Sequence, residues 1–366
     1  MHIVSKLKIE KSSVYLACMS SLIDSQDANP KWKIHSKPAT ILIANRLIQI
    51  HDSIWYSTNY MNGEQGMVEY CLKSNTTKQI VKYPSDIKPV RHALCRYQNK
   101  IYIIDSTAGI IEFDPSTKQF NKKVAIANIG FDPSAIAIQD TIHIYNGDNN
   151  NKSIAFIYIP FNNVIHTVKD ENAKHKISSS SLLLHDKNLI RFGGYNHDTS
   201  SYGNEFMIAR KIKNEFTMNV INAYVHGTEY KLKLEQIPSD ITNLIYEFFC
   251  TKNEYVWSKI EKFRLMNKIG SCSCVLYKDF IIAFSGKSDA SKREYNDKIF
   301  ILDLTDQDKG WIELSMKCPV KCKYRTILTT DNNVHLFKWF GPDREPGHFS
   351  ISMASLLQDV EIDEKK

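Results

Sequence analysis

A short pattern recurs along the chain: an apolar strand ending near a glycine-containing turn, a second strand carrying an aromatic, and a third beginning near Trp or Phe. It is clearest at 280–316, where Phe280-Ile-Ile-Ala-Phe-Ser-Gly286 leads through a polar loop to Asn296-Asp-Lys-Ile-Phe-Ile-Leu-Asp303 and then to Trp311-Ile-Glu-Leu314. A unit of this size cannot bury its own apolar face. Copies of it must stack on one another, so the repeat sets the architecture before any single motif is considered.

Aligning one strand of each unit gives Ile54-Trp-Tyr, Ile101-Tyr-Ile-Ile, Ile142-His-Ile-Tyr, Leu189-Ile-Arg-Phe, Ile281-Ile-Ala-Phe and Val334-His-Leu-Phe, whose starts are separated by 47, 41, 47, 92 and 53 residues. Each run is β-branched or aromatic and bounded by Asn, Asp, Lys or Gly, as strands and their turns are. Following strands read as Met67–Tyr70, Ile110–Phe113, Ile154–Tyr158, Phe206–Ile208, Ile299–Leu302 and His348–Ser352, and fourth strands as beginning near Phe120, Val164, Phe216 and Trp311. In Asp114-Pro-Ser-Thr-Lys118 the proline presets its backbone angle and the aspartate can accept from the chain ahead, which supplies the reversal. A period in the forties is that of a four-stranded propeller blade. The expected fold is all-β.

The chain resembles the kelch-repeat β-propellers. Pro89-Val-Arg91-His92 resembles the family's Arg-containing approach to the first strand, Gly193-Gly194 its glycine doublet, and Gly286, Tyr295 and Trp311 its Gly, Tyr and Trp spacing. The similarity runs from about residue 31 to 356. The doublet is degraded at Asn146-Gly147, Ser285-Gly286 and Phe340-Gly341, which implies altered turns there, because glycine tolerates the tight backbone that other residues resist.

A propeller has to seal its ring, since an open sheet edge invites foreign strands. Trp32-Lys-Ile-His35 stands where a last strand belongs, so an N-terminal strand is expected to complete the blade whose inner strands come from 323–356. The alternative is that Trp32 only packs below the first blade. Residues 1–30 are read as a strand segment packing on or closing the ring, 31–356 as the propeller, and 357–366 as an acidic tail.

The doubled interval leaves 223–263 as a helical insertion in a six-bladed ring or as part of a seventh blade. In Ile237-Pro-Ser-Asp240 and the residues after it, Ile241, Leu244, Ile245, Phe248 and Phe249 fall on one helical face, and Pro238-Ser-Asp240 suits a helix start. The segment around 237–250 resembles an F-box opening, which implies a ubiquitin-ligase component as partner, and also the short helices of protist kelch-type proteins. Two readings stay open: the apolar face packs on the propeller, or it docks in a partner groove.

Composition narrows the class. With 43% hydrophobic and 24% charged residues, the chain can bury a sizeable core. Eight cysteines without a paired CxxC array are too few for a disulfide scaffold, and a cytoplasmic location is expected. Val14–Met19 is too short an apolar run to span a bilayer. The formal charge is +7, but the lysines are scattered among acids, so neither nucleic acid nor membrane is expected as a partner.

Metal and cofactor chemistry has no sequence motif here. Cys272 and Cys274, and Cys318 and Cys322, have a spacing that thiolate ligands use, yet the first pair lies in the inner strand expected at 270–276, where alternation puts both sulfurs on one face as small buried side chains. The twelve histidines stand singly. No phosphate loop or nucleophile elbow is present, so no cofactor, metal or catalytic residue is expected.

Partner contacts are expected on the face that carries the loops between second and third strands and the connections between blades. Candidate loops are Tyr56–Tyr60, Asp148–Lys152, Tyr195–Tyr202 and Lys287–Tyr295. Their Tyr, Lys, Arg and His side chains suit an interface: Tyr195, His197, Tyr202, Lys287, Arg293 and Tyr295. The kelch resemblance adds Arg91, His92 and Arg325, which would stand where inner strands begin. The expected function is a non-enzymatic adaptor or scaffold for a protein or peptide. The alternatives are a propeller enzyme acting in the central channel and a structural subunit of a larger assembly.

Overall fold

The computed structural model describes residues 32–35, 47–58, 65–87, 89, 92–126, 129–130, 132–145, 154–169, 177–178, 180–196, 200–202, 206–211, 255–260, 263, 272–287, 295–306, 308–340 and 347–363. Among them six four-stranded antiparallel sheets form a six-bladed β-propeller. Blade 1 comprises Ile48–Ile50, Ser53–Thr58, Gly66–Cys71 and Thr76–Lys82. Blade 2 comprises His92–Tyr97, Lys100–Asp105, Gly109–Asp114 and Gln119–Val124. Blade 3 follows with Ser134–Ile138, Thr141–Tyr145, Ile154–Ile159 and Val164–Lys169. In blade 4 Ser181–His185, Asn188–Phe192 and Phe206–Lys211 are followed by Tyr255–Lys259. Blade 5 comprises Ser273–Tyr277, Phe280–Lys287, Tyr295–Asp303 and Trp311–Lys317.

Blade 6 takes its inner strands, Lys323–Leu328, Asn333–Phe340 and His348–Ser352, from the end of the chain and its outer strand, Lys33–Ile34, from the beginning. Lys33 lies opposite Ser350 and Ile34 opposite Phe349, while His35 N donates to His348 O at 3.0 Å. The expected N-terminal closure is therefore present. Its strand is 33–34 and not part of 1–30. The Trp32 indole does not sit beneath the first blade; its Nε1 donates to Lys317 O at 2.9 Å on the outer strand of blade 5.

Why these strands form where they do follows from what covers them. The middle strands of a blade lie between two neighbouring blades, so both faces must be apolar. Ile101–Asp105 and Met67–Tyr70 are buried throughout, whereas the outer strand Thr76–Lys82 has only exposed and half-buried residues. Each apolar cluster accordingly belongs to two blades. Trp55 and Met67 of blade 1 pack with Ile103 and Phe113 of blade 2. Phe337 of blade 6 packs with Tyr56 and Tyr70 of blade 1, which completes the circle.

Turn chemistry matches the reading of Asp114. Its Oδ1 accepts from Ser116 N at 2.9 Å and Ser116 Oγ at 2.6 Å, and Asp105 and Asp303 hold their turns in the same way. Gly109 begins the third strand of blade 2 at φ +77°, and a Cβ there would collide with Val124 O of the fourth strand. Only glycine permits both conditions.

Three boundaries differ from the sequence reading. The fourth strand of blade 4 is Tyr255–Lys259, not a strand near Phe216, and it pairs with Phe206–Lys211 through Ala209 opposite Trp257. Residues 255–259, placed in the expected 223–263 insertion, thus belong to the blade. The expected tail at 357–366 overlaps a helix, α1 (Met353–Asp363), whose Met353 and Leu356 enter the cluster between blades 5 and 6. Ser352 Oγ accepts from Ser355 N at 3.1 Å and caps it. The expected docking helix, with Ile241, Leu244, Ile245, Phe248 and Phe249, lies outside the described residues.

Candidate functional site

The first strands of blades 2 to 6, together with Leu47 just before that of blade 1, line a cavity of about 210 Å³ around the axis. Serines open three of them. Ser134 Oγ donates to Ser180 O at 3.1 Å, Ser181 Oγ to Cys272 O at 3.2 Å, and Ser273 Oγ pairs with Thr326 Oγ1 at 2.8 Å, so each hydroxyl reaches the next blade. These side chains are short because six strands converge there. The sequence signal was a Ser at the first position of three successive inner strands.

Arg325 is the one charged side chain among the described lining residues; the others are aliphatic, hydroxyl, thiol or proline groups. It is 5% exposed. Burial pushes its pKa down to about 10, opposed by the charge of Asp132, so the guanidinium stays cationic at neutral pH. Burial likewise pushes the Cys272 thiol up to about 12, which keeps it protonated and poorly nucleophilic. Cys272, Cys318 and Cys322 are buried, and no disulfide joins them.

His92 begins the first strand of blade 2, opposite Asp105. It is 2% exposed, and neither ring nitrogen has a hydrogen-bond partner among the described residues. Burial pushes its pKa down to about 4, against the pull of Asp105 and Asp132. Asp132 acts on both His92 and Arg325, so two residues assigned to the site from sequence share one electrostatic neighbour.

A pH dependence follows. An unfolded histidine titrates near 6.5, above the folded value, so the unfolded chain takes up the proton first. Stability from neutral His92 is present above pH 6.5 and is lost as pH falls toward 4. At about 1.36 kcal/mol per unit the loss approaches roughly 3 kcal/mol. Urea midpoints of the wild type should therefore drop more between pH 7 and pH 4.5 than those of His92→Gln; equal drops contradict the assignment.

The rim loops fall partly into place. Tyr195 and Tyr202 are directly opposite in a small sheet formed by Ile177–Ser178, Tyr195–Asn196 and Ser201–Tyr202. Lys287 and Tyr295 are register partners where the second and third strands of blade 5 meet. Tyr195 and Tyr295 are half-buried. Antiparallel order puts these hairpins at the same rim as the starts of the first strands, above His92, Cys272 and Arg325. Arg91, His197 and Arg293 lie outside the described residues, as does the loop Asp148–Lys152. Tyr56 is no loop residue: it is fully buried in the second strand of blade 1, packed toward Phe337 with ring centroids 6.1 Å apart.

One cluster had no sequence signal. His35, His335 and His348 come together at the closure of blade 6, none of them in the axial cavity. Only the pairing of the N-terminal strand with His348–Ser352 predicts that meeting.

No family model matches the chain, and no curated protein matches its sequence. Solved structures do match in fold. The structure of YjhT is similar with a TM-score of 0.62 and 7% identity, over 87% of this chain and 96% of that one. A fungal alcohol oxidase of the AA5 family, in complex with copper, is similar with a TM-score of 0.58 and 8% identity, over 88% of this chain and 76% of that one. At such identities the likeness is one of fold. The fold is that of a β-propeller, and a fold of this kind hosts many unrelated functions. Among the described residues no helix is long and apolar enough to cross a membrane.

Proposed function

We propose that the protein is a non-enzymatic adaptor or scaffold of kelch type that receives a protein or peptide on the rim where the first strands begin. The observation that carries this reading is Arg325, a buried cation in the wall of a narrow cavity otherwise lined by aliphatic and small polar groups. A guanidinium offers a planar fork to a carboxylate. Ser181, Ser273 and Thr326 line the same cavity with hydroxyls, and the hairpins at Tyr195 and Tyr295 add aromatic area at the rim. A carboxylate-bearing side chain of the partner fits this arrangement. The ring is rigid, so little conformational entropy is lost on association. The paired left-handed glycines Gly193 (φ 64°) and Gly194 (φ 96°) support the kelch reading.

A displayed random-peptide library selected on the purified protein should enrich acidic peptides. Arg325→Gln should weaken the best of them by about 30-fold, the loss expected of a hot-spot side chain worth about 2 kcal/mol. Tyr295→Ala, at the rim, should weaken it less while leaving the fold unchanged. Undiminished binding by a folded Arg325→Gln protein contradicts the reading.

A second reading, an enzyme acting on a small molecule in the axial cavity, is favoured by the fold shared with an alcohol oxidase. Copper-dependent oxidation of alcohols by the purified protein would establish it in place of the first.

A further inference from the structure

Three histidines far apart in sequence meet where the ring is sealed. One ring nitrogen from each of His35, His335 and His348 lies within 4.8 Å of the other two. His335 and His348 are 6% and 1% exposed, and His35 is half-buried. His335 Nδ1 and His348 Nε2 are 2.9 Å apart. His348 Nδ1 faces Tyr70 Oη at 2.7 Å, and His35 Nε2 faces Ser350 Oγ at 2.7 Å. The His35 ring stacks on that of His348 with centroids 4.3 Å apart.

Burial depresses the pKa of all three, and their mutual proximity adds to this for His335 and His348. A neutral imidazole keeps one ring nitrogen with a lone pair for a metal ion. An all-imidazole donor set suits zinc or copper, and ligating histidines are typically oriented through their second nitrogen by a polar partner. Tyr70 Oη stands in that position for His348.

We propose that His35, His335 and His348 bind a divalent late transition-metal ion of the zinc class, which staples the N-terminal closing strand to the last blade. Zinc lies about 2.0–2.1 Å from imidazole nitrogens, so two ligands of a tetrahedron stand roughly 3.4 Å apart. His335 and His348 separate by about half an ångström to admit the ion, and His35 tilts off its stack. The ion takes the place of the proton between His335 Nδ1 and His348 Nε2, and that proton moves to His335 Nε2. No proton is released: His348 keeps one on Nδ1 against Tyr70 Oη, and His335 carries one on Nε2. Three protein ligands leave a fourth position for water. Because only the closed ring presents all three, metal binding favours the folded chain by mass action.

The test uses the full chain, treated with chelator and then titrated with Zn²⁺ by calorimetry. One equivalent should bind, Tm should rise by about 3 °C or more at saturating zinc, and Co²⁺ in place of zinc should give the visible absorption of a four-coordinate site. His35→Ala, the substitution least exposed to folding failure because His35 is only half-buried, should lower zinc affinity by at least about 10-fold. Circular dichroism confirms that this variant is folded. His185→Ala, which removes a member of the separate His185, Asp186 and Asp279 group, should leave the titration unchanged. Absence of a bound equivalent in the wild type, or a folded His35→Ala protein with undiminished affinity, overturns the proposal. In that case the cluster is a hydrogen-bonded stack alone.

Discussion

A chain lacking residues 1–35 should lose its cooperative thermal transition near physiological temperature and aggregate. The deletion removes the outer strand of blade 6 and leaves His348–Ser352 as an open edge, the kind of surface that recruits other chains. It also removes the bonds His35 N to His348 O and Trp32 Nε1 to Lys317 O. At about 1 kcal/mol for each hydrogen bond and about 1.5–3 kcal/mol for a large apolar side chain, the direct loss is about 4 kcal/mol. That is a large part of the roughly 5–15 kcal/mol by which a domain is stable. The loss should be repaired in trans: a peptide spanning 30–38 should restore solubility and the transition, whereas a scrambled peptide should not. A truncated protein as stable as the parent would show that the ring closes without this strand.

Phe113→Ala should cost about 3–5 kcal/mol. Phe113 is fully buried between blades 1 and 2, with ring centroids 5.2 Å from Trp55 and 4.7 Å from Phe120. Removing it leaves a cavity shared by two blades, neither of which can collapse into it without moving away from its other neighbour. Urea unfolding should therefore show a lower midpoint and remain a single transition. A separate early transition would show that blades unfold independently, against the clusters that every pair of neighbours shares. A change under about 1 kcal/mol would show that this position is not packed as the structure has it.

How far the sequence was legible depended on what covered each strand. The middle strands stand out as short apolar runs, such as Ile101-Tyr-Ile-Ile104, because neighbouring blades bury both their faces. That same burial explains Tyr56: beside polar Ser57 and Thr58 it resembles the start of a loop, yet all three are buried. The fourth strand of blade 4 was misplaced because strands that pair there, Phe206–Lys211 and Tyr255–Lys259, are separated by 43 residues, and an aromatic at Phe216 stood at the usual distance.

The helix α1 carried its signal in Met353, Leu356 and Leu357, spaced for one face after a capping Ser352; the acidic residues that follow masked it. At the candidate site, the kelch resemblance pointed to Arg325 and His92 as residues that enter the inner strands; Arg325 lines the axial cavity, and His92 is buried at the start of its strand. The serines between blades were missed because a hydroxyl that bonds across a blade boundary looks like any surface serine. The three histidines could not be read at all by local spacing, since strand pairing alone brings His35 to His348.

The central claim is that the rim where the first strands begin is the binding face, with Arg325 in the wall of the cavity beneath it. Hydrogen exchange of the full chain with and without the best selected acidic peptide tests it most directly. Protection should rise in 92–95, 195–202, 272–276 and 323–328, while the outer strands at 76–82, 119–124 and 164–169 stay unchanged. Protection confined to those outer strands, or to α1, would contradict it.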